Sequence, residues 1–119
     1  MAGLAKVAYV FPGQGSQGAG MGRDLYHDFA SAKVIFDRAD EVLGFSLSKL
    51  CFEGPEDELR QTVNAQPAIL TVSYACLEAA RQASHKLPKP AFVAGHSLGE
   101  YTTLAVSGVL DFPDRKSVV

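Results

Sequence analysis

Phe92-Val93-Ala94-Gly95-His96-Ser97-Leu98-Gly99-Glu100 is the stretch on which the reading of this chain turns. Residues 91–94 are a short apolar run of the kind that forms a buried strand. Residues 98–107 read as a helix, with Gly108 as its stop. Between them Gly95-His96-Ser97-Leu98-Gly99 is a G-x-S-x-G pentapeptide. A strand that becomes a helix at the serine itself forces a strained backbone there. Side chains two positions to either side would collide, which accounts for glycine at 95 and 99. Such a nucleophile elbow lifts the Ser97 hydroxyl clear of the sheet and sets it at the positive end of the next helix. The Leu98 N–H then faces any oxyanion formed by attack of Ser97.

Further toward the N-terminus, Lys6-Val7-Ala8-Tyr9-Val10-Phe11 reads as a second buried strand, ended by Pro12-Gly13. Residues 12–22 hold five glycines in eleven positions, a loop whose backbone can come close to another group. A phosphate cradle would need GxGxxG or GxxxxGK[ST], and Phe11-Pro12-Gly13-Gln14-Gly15-Ser16-Gln17-Gly18 is neither. Two readings are left, a plain turn and a second oxyanion donor at the Gln14 N–H. Phe29, Ala32, Phe36, Ala39 and Leu43 form one stripe of an amphipathic helix stopped by Gly44. Short helices are expected at 46–52 and from Glu56. Pro67 suits the first turn of a helix running to Ala83. That helix carries one apolar face of Ala68, Ile69, Val72, Cys76, Ala79 and Ala80, and a second of Leu70, Tyr74 and Leu77, so it should lie between layers. Strand, loop, helices, strand, tight turn and helix make an α/β fold with parallel strands.

The chain has 119 residues, 47% hydrophobic and 20% charged, enough for one domain with a core and too apolar for disorder. Eleven Lys and Arg against thirteen Asp and Glu, with no basic run, argue against a nucleic-acid surface. The most apolar stretch, 67–80, is too short and too polar to cross a bilayer, and no leader pattern is visible at the N-terminus. Cys51 and Cys76 are read as a buried pair of free thiols in a reducing, cytoplasmic setting. The Asp, Glu, His and Cys residues show no metal-ligand spacing. Of the histidines, His96 adjoins Ser97 and diverges from it at the turn. His27 and His85 read as surface residues, so none is placed as a general base.

Together, the FPGQGSQ-x-x-GMG block at 11–22 and GHSLGE at 95–100 resemble the malonyl-CoA:acyl carrier protein transacylases of fatty acid synthesis. The connecting Val42-Leu43-Gly44, Gly54-Pro55-Glu56-Asp57-Glu58-Leu59, Gln66-Pro67-Ala68-Ile69 and Gly108-Val109-Leu110-Asp111-Phe112 fit in order. The resemblance implies the N-terminal part of a large α/β-hydrolase-like subdomain, with the small ferredoxin-like subdomain absent from this chain. It implies that Ser97 takes a malonyl group from coenzyme A and passes it to the phosphopantetheine thiol of acyl carrier protein, with Gln14 and Leu98 at the oxyanion hole. No cofactor beyond the two substrates is implied. The family's base histidine and malonate-binding arginine fall beyond Val119. Arg115-Lys116-Ser117-Val118-Val119 departs from the pattern, so residues 1–119 are expected to be a partial large subdomain with a non-homologous ending. Two rival readings stand beside this one: an α/β-hydrolase esterase, which uses the same elbow, and a non-catalytic remnant that binds a partner.

Overall fold

The computed structural model describes residues 8–84 and the backbone of 92–95. The serine turn, the helix expected at 98–107, His85 and His96 lie outside the described residues. In chain order the elements are β1 (Ala8–Phe11), α1 (Arg23–Asp28), α2 (Ala30–Leu43), α3 (Leu47–Glu53), α4 (Glu56–Arg60), α5 (Thr62–Ala83) and β2 (Phe92–Gly95). β1 and β2 pair in parallel, in the register Ala8–Phe92, Tyr9–Val93, Val10–Ala94 and Phe11–Gly95. The two expected strands are thus present and parallel. The helices form the bulk of the described chain and carry its core.

α2 and α5 pack along each other, and the sequence explains how closely. Ala32 and Phe36 of α2 meet Ala75 and Ala79 of α5, all 0–2% exposed. A second cluster joins Ala39, Leu47, Cys51, Leu59 and Ala68 across α2, α3, α4 and α5, and half-buried Phe52 and Val72 touch both clusters. Residues 68, 72, 75 and 79 are one stripe at helical spacing, so the face of α5 that meets α2 is centred on Ala75. That centre turns Cys76 aside. It is exposed, a correction to the expected pair of buried thiols, while Cys51 is buried. Leu70 and Leu77 are 5% and 8% exposed on a further face, as expected for a helix between layers.

Where α5 begins is a second correction. It starts at Thr62, so Pro67 lies inside the helix rather than in its first turn. The early turn forms because Gln61, with extended backbone, offers its carbonyl to the N–H groups of Asn64 (2.9 Å) and Ala65 (2.7 Å), and Asn64 Nδ2 donates to Glu58 O (2.9 Å). Pro67 cannot donate to the carbonyl of Val63. Val63 is 76% exposed, where water can take the freed acceptor. α2 ends at Gly44 as expected, and Phe29 serves as its N-cap, outside the helix. The short α1 has no apolar stripe long enough to be read in advance. It is set by Gly22, at φ 82, and by Tyr26, whose ring packs against those of Phe36 and Phe52 at centroid distances of 5.9 and 5.3 Å.

Candidate functional site

Because Phe11 pairs with Gly95, the chain leaves both strands at the same edge of the sheet, the carboxyl edge. In parallel α/β sheets that edge is where ligands bind, since the connecting loops and helix N-termini gather there. Pro12-Gly13-Gln14 departs from β1 at this edge, and the chain toward Ser97 departs from β2 beside it. Ser97 and Leu98 themselves lie outside the described residues. Gln14 lies within them.

The loop after β1 is a built turn. The Gly13 carbonyl accepts from the Ser16 N–H at 3.4 Å and from Ser16 Oγ at 2.7 Å. Gly15, third of the four turn residues, has φ 108, the left-handed region that such a turn requires at this position and that glycine adopts without strain. A turn of this kind leaves the N–H groups of its two central residues unused. That of Gly15 is taken by Gln17 Oε1 at 2.8 Å, whereas that of Gln14, an exposed residue, meets no acceptor among the described residues. One side-chain N–H of Gln14 is used as well, since Nε2 donates to Thr62 Oγ1 at 3.0 Å. The Gln14 main-chain N–H is thus the central donor of the turn left without an acceptor among the described residues.

The rest of the loop is fastened to the helices. Ala19 N–H donates to Glu56 Oε1 at 3.1 Å, Gly20 N–H to Cys51 O at 2.8 Å, and Arg23 Nη2 to Phe52 O. With the N–H groups of Gly15, Ser16, Ala19, Gly20 and Met21 already bonded, and a carboxylate at Ala19, the loop does not make a phosphate cradle. Sequence reasoning found Gln14 but missed Thr62, Glu56 and Gln17. Gln17 sits in the same glycine-rich block. Thr62, 48 residues from Gln14, carries no local signal at all.

Other reactive groups are accounted for without chemistry. Burial, with Asp40 nearby, pushes the Cys51 thiol from 9.0 up to about 12, so it is no nucleophile at neutral pH. The Tyr26 hydroxyl donates to Asp37 Oδ1 at 2.9 Å, and that bond, with partial burial, holds its pKa above the usual phenol value. His27 is an exposed residue of α1, as expected from the sequence. Among the described residues no group of three His, Cys, Asp or Glu could hold a metal ion, and no helix is long and apolar enough to cross a membrane. Tyr9, Phe11 and Pro12 face Val72, Cys76 and Leu77 across an apolar groove of about 430 Å³ between β1 and α5.

A parallel pair of strands with a built loop at its carboxyl edge is the frame of an α/β acyltransferase. The acyl transferase domain family matches residues 8–115, and the chain belongs to that family. It is 51% identical over 111 residues to the malonyl CoA-acyl carrier protein transacylase of Bacillus subtilis (strain 168), covering 93% of this chain and 34% of the relative. The crystal structure of an acyl carrier protein S-malonyltransferase from Vibrio cholerae O1 biovar eltor superposes with a TM-score of 0.89 at 46% identity, covering 97% of this chain and 37% of that one. A malonyl-transacylase solved in complex with a type II PKS acyl-carrier protein superposes with a TM-score of 0.85 at 44% identity, covering 92% and 35%. The chain therefore spans about a third of the length of these relatives.

Proposed function

We propose that this chain carries the nucleophile and the oxyanion hole of a malonyl transfer from coenzyme A to acyl carrier protein. The observation that carries the proposal is the parallel register Phe11–Gly95, which sends the Gln14 turn and the chain that follows Gly95 out of the sheet at one edge, with the Gln14 N–H meeting no acceptor among the described residues. The names of the relatives supply the acyl group and the acceptor, and the acyl-carrier-protein complex supplies the partner. The nucleophile elbow and the α/β-hydrolase-like subdomain belong to the same proposal, as does the absence of any metal or redox cofactor from the reaction.

The chemistry follows from the groups assigned. A base takes the Ser97 hydroxyl proton as Oγ attacks the thioester carbonyl of malonyl-CoA. The carbonyl oxygen becomes an oxyanion, held by the N–H groups of Gln14 and Leu98. Collapse breaks the carbon–sulfur bond, and coenzyme A leaves as its thiol with the proton from the base. The malonyl ester on Ser97 is then attacked by the phosphopantetheine thiol of acyl carrier protein, which gives up its proton to the base. Ser97 regains a proton as the new thioester leaves. By the family resemblance this role falls to a histidine, and the carboxylate clamp to an arginine, in the part of the relatives that this chain does not span; His27 is an exposed residue of α1.

The test is intact-mass detection of a malonyl adduct after exposure to malonyl-CoA, followed by its discharge on addition of acyl carrier protein. The 119 residues alone should turn over at least 10²-fold more slowly than when supplied with the remainder of a relative, about the contribution of a general base. Ser97→Ala should abolish the adduct. An adduct that persists in Ser97→Ala, or turnover of a simple ester in preference to malonyl-CoA, would refute the proposal, the second in favour of an esterase.

A further inference from the structure

We infer that Thr62 is a positioning residue for acyl transfer, holding the oxyanion turn in place through the side chain of Gln14. The inference rests on the assignment of the Gln14 N–H to the oxyanion hole and adds what keeps that N–H aimed.

The turn at 13–16 is exposed, and its internal bonds fix its shape but not its orientation on the protein. Among the described residues, the hydrogen bond from Gln14 Nε2 to Thr62 Oγ1, 3.0 Å, is the one that ties the turn's central residues to another element. Its anchor is well held. Thr62 is the first residue of α5, which runs 22 residues and packs along α2, and the approach to it is pinned by the bonds of Asn64 and Ala65 to Gln61 and of Asn64 Nδ2 to Glu58. The next fastening along the loop is at Ala19, five residues after Gln14, too far to orient the turn. An oxyanion donor is effective only when aimed at the point where charge develops, so a turn free to swing loses transition-state binding before it loses substrate binding.

Two kinds of variant separate positioning from folding. Thr62→Val removes the acceptor at nearly constant shape, Thr62→Ser keeps it, and Gln14→Ala removes the donor side chain while retaining the backbone N–H. In amide hydrogen exchange on the full chain, Thr62→Val and Gln14→Ala should speed exchange at Gly15 and Ser16 several-fold and leave the interior amides of α5 unchanged. Thr62→Ser should match the parent. In the acyl-transfer assay with the remainder of a relative supplied, both single variants should lower kcat by about 3–10-fold with KM unchanged, a fraction of the roughly 10²–10³-fold cost of losing a whole donor. The double variant should be no worse than either single one, because one bond is lost in each case. Unchanged exchange at Gly15 and Ser16 would overturn the tether while leaving the Ser97 chemistry standing. Faster exchange with unaltered kcat would overturn the positioning role. Failure of the parent to form a Ser97 adduct would remove the functional reading and this inference with it.

Discussion

A methyl group added at Gly22 tests the packing that supports the loop from β1 to the helices. Gly22 is the N-cap of α1 with φ 82, and a Cβ built there falls 2.6 Å from Phe36 Cζ and 3.4 Å from Cε1 and Cε2. Phe36 cannot swing away. It is 0% exposed, and its ring is flanked by Phe52 and Tyr26 at centroid distances of 5.0 and 5.9 Å. Gly22→Ala therefore meets two separate penalties. The left-handed backbone costs an L-residue about 1–2 kcal/mol, and overpacking a filled core costs about 1–3 kcal/mol. The sum, about 2–5 kcal/mol, is a large part of the roughly 5–15 kcal/mol that holds a small domain together. In urea unfolding followed by helical circular dichroism, the midpoint should fall by about 1–2.5 M at an m-value near 2 kcal/mol/M. Phe36→Leu retracts the ring tip, so in that background Gly22→Ala should cost only the backbone part, about 1–2 kcal/mol. A Gly22→Ala protein within about 0.5 kcal/mol of the parent would refute the reasoning. So would a cost undiminished in the Phe36→Leu background.

Two further tests concern the helical core. Asp40 accepts from the Ser48 N–H at 2.8 Å and from Ser48 Oγ at 2.5 Å, capping α3 in place of Ser46, whose side chain makes no cap bond. Asp40→Ala should cost about 1–2 kcal/mol in urea unfolding, with Asp40→Asn losing less because it keeps an acceptor. Exposed Cys76 should be alkylated in the native chain, while buried Cys51 should react only on unfolding. The neutral Cys51 thiol is favoured by the fold, so its contribution to stability is full below pH 9.0 and is lost as pH climbs from there toward about 12. Cys51→Ala should accordingly lose less stability than the parent over that range.

What the amino-acid sequence by itself determined is whatever rests on neighbours a few residues apart. The stripe from Ala32 to Leu43 places α2, and Gly44 ends it. The acidic Glu56-Asp57-Glu58 starts α4, and the apolar runs mark β1 and β2. The glycine pattern around Gln14 likewise marked a turn, because φ at Gly15 is a local requirement. Even within single helices the limit of such reading is visible. Pro67 suggested a first turn, but bonds from Asn64 and Ala65 to Gln61 add residues before it. Cys76 shares the apolar composition of its helix, yet the face of α5 is set by how Ala75 and Ala79 fit against Ala32 and Phe36 of α2. Only the tertiary structure decided what joins distant segments. The pairing of Phe11 with Gly95 crosses almost the whole described chain, and the bond from Gln14 to Thr62 spans 48 residues. Hydrogen bonding between such residues leaves no periodicity in the sequence. Their meeting depends on the rise and packing of every helix between them.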